Sequence, residues 1–517
     1  MKRFPWLFLL IGVVCPCASP PSSPKPKLVL ALVVDQYRYD YLTRFRTDYH
    51  GGFARLLEEG AVFTNAYLDH SPTVTAVGHS TFLTGAIPAL SGIVSNEWYD
   101  REAGKQVTSV GDDGVALLGG KPGKGSSPRR LRVSTVGDEM KMSGKWSTRV
   151  IGISIKDRAA ILPSGHMADG AFWFDSKTGN FVSSTYYFPE LPGWVAAFNS
   201  RRPADRYLGA EWVPAWGGPP LRKMAAEAGR AFYDSLASSP YGNQLLEQFA
   251  EQAVTSLQLG AGGGIDLLTL SFSCNDYVGH RSGPDSPDVR DISIRTDQVL
   301  DKLFHFLDQQ IGLEKVLVVL TADHGVAPVP EVNQARKMPG GRISDKLVLD
   351  KVREALSARY GAGPWVISSN GPEPYLNREL IRQKKLDLTE VLDVAAEAVR
   401  ELPHVFRVYS SARLTLGEAP FDPVDRRVRN GFDSRRAPDL FVVPDPYWMF
   451  STGGTTHGTP FNYDTHVPVI FMGPGIKPGI YHQTIIPNDI APTLATLLEI
   501  EVPSGSVGRA LHEILTK

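Results

Sequence analysis

The chain has 517 residues, a formal net charge of −1 and a pI near 6.9. That balance gives no electrostatic footprint for nucleic acid. The length suits either one large α/β core with insertions or about three average domains.

Lys2 and Arg3 precede an apolar run from Phe4 to Val14, which includes Pro5, followed by the small or turn-forming residues Cys15 to Pro20. An apolar stretch of that length fits a secretory signal, whereas a membrane span needs about 18 or more apolar residues. Residues 1–19 therefore read as a signal peptide cleaved after Ser19, and residues 20–27 as a Pro/Ser tether. The bulky Val14 before Cys15 argues against lipid attachment there. Loss of the leader leaves Cys274 as the remaining cysteine, so no intramolecular disulfide is available. A core of this size does not need one. No later apolar run is long enough to span a bilayer. A soluble, monomeric, periplasmic or secreted protein is expected.

Leu28 to Val34 (LVLALVV) is a continuous apolar run, as in a central parallel strand, with Asp35 at its carboxyl end. Tyr41 to Gly60 predicts a helix, and Ala61 to Ala66 a short strand. Ser71 to Gly85 (SPTVTAVGHSTFLTG) follows, with Pro72 as a breaker and Thr75 in an N-cap position before a helix. Val136 to Ser143 predicts a helix and Arg149 to Ile155 a buried strand ending in Lys156-Asp157-Arg158. The aromatic-rich stretch Ala171 to Trp194 reads as a strand-and-loop insertion near the mouth of a site, within an inserted region at about 159–220. Its aromatic residues pack an ordinary β-insertion more readily than they form a substrate platform.

Helical periodicity returns at Leu221 to Leu236 and Gln244 to Leu259. Gly260 to Gly264 turns into a strand, Asp266 to Phe272, and Asp288 to Ile311 is a long amphipathic helix. Lys315 to Leu320 is a further buried strand ending at Thr321-Ala322-Asp323-His324-Gly325. Residues 328–439 hold two helices (Asp345 to Tyr360, Leu388 to Leu402) and strands near Trp365 and Phe406, an α+β cap inserted in the core. Strands return at Leu440 to Val443 and Val467 to Met472, and the last helix begins near Ile490. The recurring strand–helix–strand order predicts an α/β fold with a mostly parallel central sheet and helices on both faces. In such sheets ligands bind beyond the carboxyl ends of the strands, where Asp35, Lys156, Asp276 and Asp323 all fall.

Asp276 and His280 are four residues apart, on one side of a helical turn, and can grip one ion. Asp323 and His324 are adjacent in a turn, and His457 lies in another turn, TTHGTP. With Asp35 these make three carboxylates and three imidazoles, enough for two ions with the mixed N/O ligands typical of catalytic zinc. A threonine hydroxyl needs a base or metal to become a nucleophile, and a helix N-terminus suits an incoming phosphate. Thr75 meets both conditions if the ligands gather around it. Lys156 and Arg158 carry the right charge for an anion, and Asn96 in GIVSNEWYD can donate to a substrate oxygen or shape a turn. Each element alone is a weak signal; their common placement at strand ends and turns is the argument. His466 in NYDTHVP rivals His457, which is preferred because Gly458 permits close backbone approach.

These stretches resemble the alkaline phosphatase superfamily, and within it the threonine-nucleophile, phosphate-irrepressible alkaline phosphatases of bacterial periplasms. The resemblance runs from VVDQYRYDYL through DHG to NDIAPTLATLLEI in motif order and spacing. It implies residues 28–517 as one alkaline phosphatase-like catalytic domain carrying the two insertions. It further implies one zinc on Asp276, His280 and His457 and another on Asp35, Asp323 and His324, with Thr75 as metal-bound nucleophile. Asn96, Lys156 and Arg158 match positions that bind phosphoryl oxygens. The implied activity is hydrolysis of phosphate monoesters through a phosphothreonine. The alternatives are a nucleotide pyrophosphatase or phosphodiesterase on the same scaffold, and a non-catalytic binder of phosphorylated ligands. The cysteine-x-proline-x-arginine motif of sulfatases is absent.

Overall fold

The computed structural model describes residues 25–145, 147–417 and 420–516. The expected signal at residues 1–19, with Cys15, and all but the last three residues of the tether at 20–27 lie outside the described residues. Among the described residues no helix is long and apolar enough to cross a membrane.

An 11-stranded sheet runs in the order Gly479–Ile485, Ala61–Ala66, Val469–Met472, Val316–Thr321, Leu28–Val34, Asp266–Phe272, Val150–Ser154, Gly170–Asp175, Asn180–Ser184, Gly111–Leu118 and Lys124–Ser126. The five strands from Val316–Thr321 to Gly170–Asp175 are mutually parallel. Every residue of Leu28–Val34 is buried. Leu28, Leu30, Leu32 and Val34 enter one hydrophobic layer, while Val29, Ala31 and Val33 enter the other. This strand therefore has no solvent face, and its apolar residues run on without alternation because helices cover both sides. The register pairs Val34 with Phe272, Val33 with Thr321 and Ser271 with Ser154. Asp35, Asp276, Asp323 and Lys156 consequently leave the sheet at one edge.

Several elements differ from expectation. The single helix expected over Tyr41–Gly60 is Tyr39–Arg44, a 3₁₀ turn at Arg46–Asp48, and Gly52–Glu59. The break falls at His50-Gly51, where Asp297 accepts the backbone N–H groups of His50, Gly51, Phe53 and Ala54 and so caps the second helix. The helix expected from Leu221 starts only at Arg230, because Arg222–Lys223 pairs instead with Glu211–Trp212. Tertiary pairing overrides local propensity there.

The aromatic stretch extends the central sheet. Gly170–Asp175 pairs parallel with Val150–Ser154, and Asn180–Ser184 returns antiparallel. Its rings turn into the main core, where Phe181 stacks on Phe249 with centroids 3.9 Å apart, and they build no platform at the site. Val469–Met472 runs antiparallel to both of its neighbours, so the sheet is mixed at that side.

Leu440–Pro444, expected as a returning core strand, belongs to the cap. It pairs antiparallel with Val405–Ser410, and Leu440 and Val442 join the cap's own apolar cluster with Val352, Trp365 and Val391. The cap also holds the helices Asp345–Tyr360 and Leu388–Arg400 and the hairpin Val366–Asn370/Glu373–Leu376.

Candidate active site

Thr75 is the first residue of the helix Thr75–Thr84, and Val74 occupies the N-cap without a side-chain bond. The N-cap expectation for Thr75 is thus displaced by one residue, which leaves its hydroxyl free of capping. Thr75 is 2% exposed, and its Oγ1 lies 3.4 Å from Lys156 Nζ. The helix approaches the Asp323 turn closely: a Cβ on Gly78 would stand 2.1 Å from the Asp323 carbonyl oxygen. Only glycine permits that contact.

The six expected ligands gather beside this helix. Asp276 and His280 lie on the helix Cys274–Ser282, with His280 Nε2 3.1 Å from Asp276 Oδ1. His457 Nε2 lies 3.2 Å from His280 Nε2 and 3.7 Å from Asp276 Oδ1. His324 Nε2 is 3.6 Å from Asp35 Oδ1 and 3.3 Å from Asp323 Oδ2. His324 also stacks on His457, with centroids 3.5 Å apart, and shares a cluster with Asp276 and His457 as well as one with Asp35 and Asp323. The two expected groups are therefore contiguous through His324.

Backbone carbonyls set the tautomers. Nδ1 of His280, His324 and His457 lies 2.8, 3.0 and 2.7 Å from the carbonyl oxygens of Thr455, Gly325 and Thr73. A carbonyl only accepts, so each Nδ1 carries a proton, and each ring in its neutral form presents its Nε2 lone pair to the cluster. Two neutral rings would face lone pairs 3.2 Å apart, which a cation or a shared proton between them relieves. Asp35 Oδ1, Asp323 Oδ2 and His324 Nε2 are moreover buried without a hydrogen-bond partner. When all three buried carboxyls are ionised, the single Lys156 ammonium leaves two negative charges uncompensated. Divalent cations with borderline N/O preference fit this donor set.

Lys156 Nζ bonds Asp35 Oδ2 at 2.7 Å and Asp276 Oδ2 at 2.6 Å. Burial alone opposes charge on all three groups. Burial raises the Asp35 carboxyl well above the usual range, helped by the nearby Asp323. Burial also pushes Asp276 up, but Lys156 and His280 overcome it and hold that carboxyl well below the usual range. Burial and the neighbouring His324 and His280 keep His457 well below an ordinary imidazole, hence neutral and ligand-competent.

Asn96 Oδ1 accepts the Ala76 N–H at 2.9 Å, so its amide donors remain for a ligand, and the residue lines the adjoining cavity. Arg158 stands in the first turn of the helix Asp157–Ser164, with its Nε buried and unpartnered. Its contact with Asp157 is 3.8 Å. His466 is not in this cluster. It is stacked between Tyr39 and Tyr67, and its Nε2 bonds the Thr64 carbonyl at 2.9 Å.

The sequence analysis singles out none of three further residues of the site. Gln36, at φ 62°, donates from Nε2 to Asp276 Oδ1 at 2.6 Å and from its backbone N–H to Asp323 Oδ1 at 3.0 Å. His79 places Nδ1 2.9 Å from the Thr75 carbonyl and Nε2 2.8 Å from Ser271 Oγ. Thr73 takes the Gly458 N–H and donates to the Thr459 carbonyl, pinning the His457 loop against the Thr75 stretch. Of these, the Thr-x-Thr spacing of Thr73 and Thr75 is the one feature visible in advance.

Residues 29–467 match the family described as type I phosphodiesterase / nucleotide pyrophosphatase. Alkaline phosphatase PafA of Elizabethkingia meningoseptica is 36% identical over 523 residues, spanning 96% of this chain and 95% of its own. Alkaline phosphatase PhoV of Synechococcus elongatus is also 36% identical, over 527 residues, spanning 97% and 95%. The crystal structure of wild-type PafA superposes with a TM-score of 0.89, covering 95% of this chain and 99% of that one. Murine ectonucleotide pyrophosphatase/phosphodiesterase 5, 16% identical at a TM-score of 0.53, shares the fold. The chain belongs to the type I phosphodiesterase / nucleotide pyrophosphatase family, within the alkaline phosphatase superfamily.

Proposed function

We propose that the protein is a secreted, metal-dependent alkaline phosphatase that hydrolyses phosphate monoesters through a phosphothreonine at Thr75. The observation that carries this reading is the convergence of three imidazole lone pairs and three buried carboxylates beside one uncapped hydroxyl. Alkaline phosphatases PafA and PhoV, which align with nearly the whole chain, favour a monoester over a diester substrate.

Asp276, His280 and His457 would hold one zinc ion and Asp35, Asp323 and His324 the other, supplying Lewis acidity that lowers the Thr75 hydroxyl pKa and charge that stabilises a departing oxygen. The chain's own groups do the rest. Thr75 Oγ1 forms a bond to phosphorus as the bond to the leaving alcohol breaks. Thr75 loses its hydroxyl proton to solvent, and the departing alcohol takes one up, so protons balance across the step. Water then attacks phosphorus, inorganic phosphate departs, and Thr75 recovers its hydroxyl. Lys156 pairs with Asp35 and Asp276 in the present structure; with their charge balanced otherwise, its ammonium pairs with a phosphoryl oxygen. Arg158 and the Asn96 amide serve the other oxygens. A monoester carries one more negative charge on its non-bridging oxygens than a diester, and the fixed cations favour that charge.

Metal analysis of the purified protein, paired with turnover of p-nitrophenyl phosphate and its bis ester, tests the reading. Two bound zinc ions and a strong monoester preference are expected. A diester preference would make the protein a phosphodiesterase on the same scaffold, and phosphate binding without turnover would make it a binding protein.

A further inference from the structure

A cavity of about 340 Å³ opens directly beside the Thr75 helix, between the core and the cap. Its core wall includes Val74, Asn96 and His457. Its cap wall includes Glu373, Phe441 and Trp448. Because it shares Asn96 and His457 with the site, whatever is esterified to a phosphoryl group at Thr75 and projects toward the cap enters this space. The volume is at the small end of ligand cavities, which run to roughly 1,000 Å³. It suits a compact alcohol.

The cap wall is anchored to the core. Asn370 Nδ2 donates to Ser95 Oγ at 3.1 Å, next to Asn96, and Gln106 Nε2 bonds Ser368 Oγ and the Ser369 carbonyl at 3.0 Å each. The hairpin turns through Gly371 at φ 56° and Pro372, which brings Asn370 opposite Glu373. The positive φ suits glycine, and proline fixes the next residue. Burial and the nearby Asp345 raise the Glu373 pKa to about 8. Glu97 and Glu373 are the ionisable carboxyls of the lining, and no lysine or arginine lines it among the described residues. Above that pKa, an apolar wall with a carboxylate and no cation rejects a second anionic group.

We propose that this cavity receives the alcohol portion of the substrate, and that Glu373 with the apolar wall selects uncharged or cationic ring-bearing leaving groups against those carrying a further phosphate or carboxylate. The inference rests on the monoesterase reading and specifies its substrate class.

The test compares kcat/KM of the zinc-loaded enzyme for phenyl phosphate, 4-(aminomethyl)phenyl phosphate and 4-carboxyphenyl phosphate, in buffer above the Glu373 pKa of about 8. The carboxylated ester is expected to be slower than phenyl phosphate by ~10-fold or more, and the aminomethyl ester at least as fast. Glu373→Gln is expected to raise the carboxylated-to-phenyl ratio toward one, and Glu373→Asp to keep it low. Equal rates across the series in the wild-type enzyme would overturn the inference, and that comparison needs no variant to fold. An unchanged ratio in a folded Glu373→Gln would overturn the role of Glu373. Failure to turn over even phenyl phosphate would strike the monoesterase reading itself.

Discussion

Lys156 Nζ lies 3.4 Å from Thr75 Oγ1 while it bridges the Asp35 and Asp276 carboxylates. One ammonium thus holds together carboxylates from the two expected ligand groups. Removing it without cations leaves buried charges unpaired, which costs about 3–5 kcal/mol. Lys156→Ala stripped with a chelator is therefore expected to melt well below the stripped wild-type protein. Added zinc should recover most of the difference, since it supplies the missing positive charge. Thermal melts of both proteins with and without zinc decide this. A penalty that zinc leaves untouched would show that the carboxylates hold no ion.

Thr75→Ala is expected to abolish the acid-stable phosphoenzyme and turnover. Its fold should survive, because the hydroxyl caps no helix and its bond to Lys156 is long. A stability change of about 1 kcal/mol or less is expected, the value of one hydrogen bond. Acid quench with labelled substrate, beside a melting curve, separates chemistry from folding. Full turnover in the variant would move the nucleophile elsewhere.

Arg158 offers a cleaner test of substrate charge than Lys156, because its Nε is unpartnered and the carboxylate it approaches, at 3.8 Å, is Asp157 and not one of the site. Arg158→Ala should lower kcat/KM for p-nitrophenyl phosphate by ~10–100-fold, the worth of roughly 1.5–3 kcal/mol in a hydrogen bond to a charged group. The bis ester should lose less. Equal losses on both substrates would exclude Arg158 from recognising the additional charge.

Gln36 marks where the sequence stops being informative. The burial of Leu28–Val34 is written in its unbroken apolar run, and so is the location of Asp35 at its end. The four-residue spacing of Asp276 and His280 likewise specifies a shared helical face. Gln36 is different: nothing in its type or spacing announces φ 62°, or a bond to a residue 240 positions away. The same holds for Leu440–Pro444, whose apolar run fits a core or a cap strand until its partner Val405–Ser410 is known. Local pattern fixes burial, and long-range pairing decides where the buried strand lies. Gln36→Ala should weaken zinc affinity by ~10–100-fold, as loss of a ligand's hydrogen-bond partner does. Competition against a chromogenic chelator measures that directly. Unaltered affinity would leave Gln36 a purely structural residue.

Glu247 gives a pH prediction outside the Asp–His cluster. Its side chain is buried on the helix Pro240–Leu257, and neither carboxyl oxygen has a hydrogen-bond partner. Lys302 Nζ approaches only to 3.6 Å. Burial, with Glu251 adding to it, raises the Glu247 pKa to about 8 from 4.5. Between those values the folded protein keeps a proton that the unfolded chain has released. Stability from this group is therefore complete below about 4.5 and declines as pH rises through the window to about 8. Glu247→Met keeps an unbranched side chain of similar length and removes the titration. The melting temperature of the variant relative to wild type should climb across that window and level off above it, whatever its offset in acid. A difference that stays constant with pH would mean that Glu247 ionises in the folded protein as it does in the unfolded one.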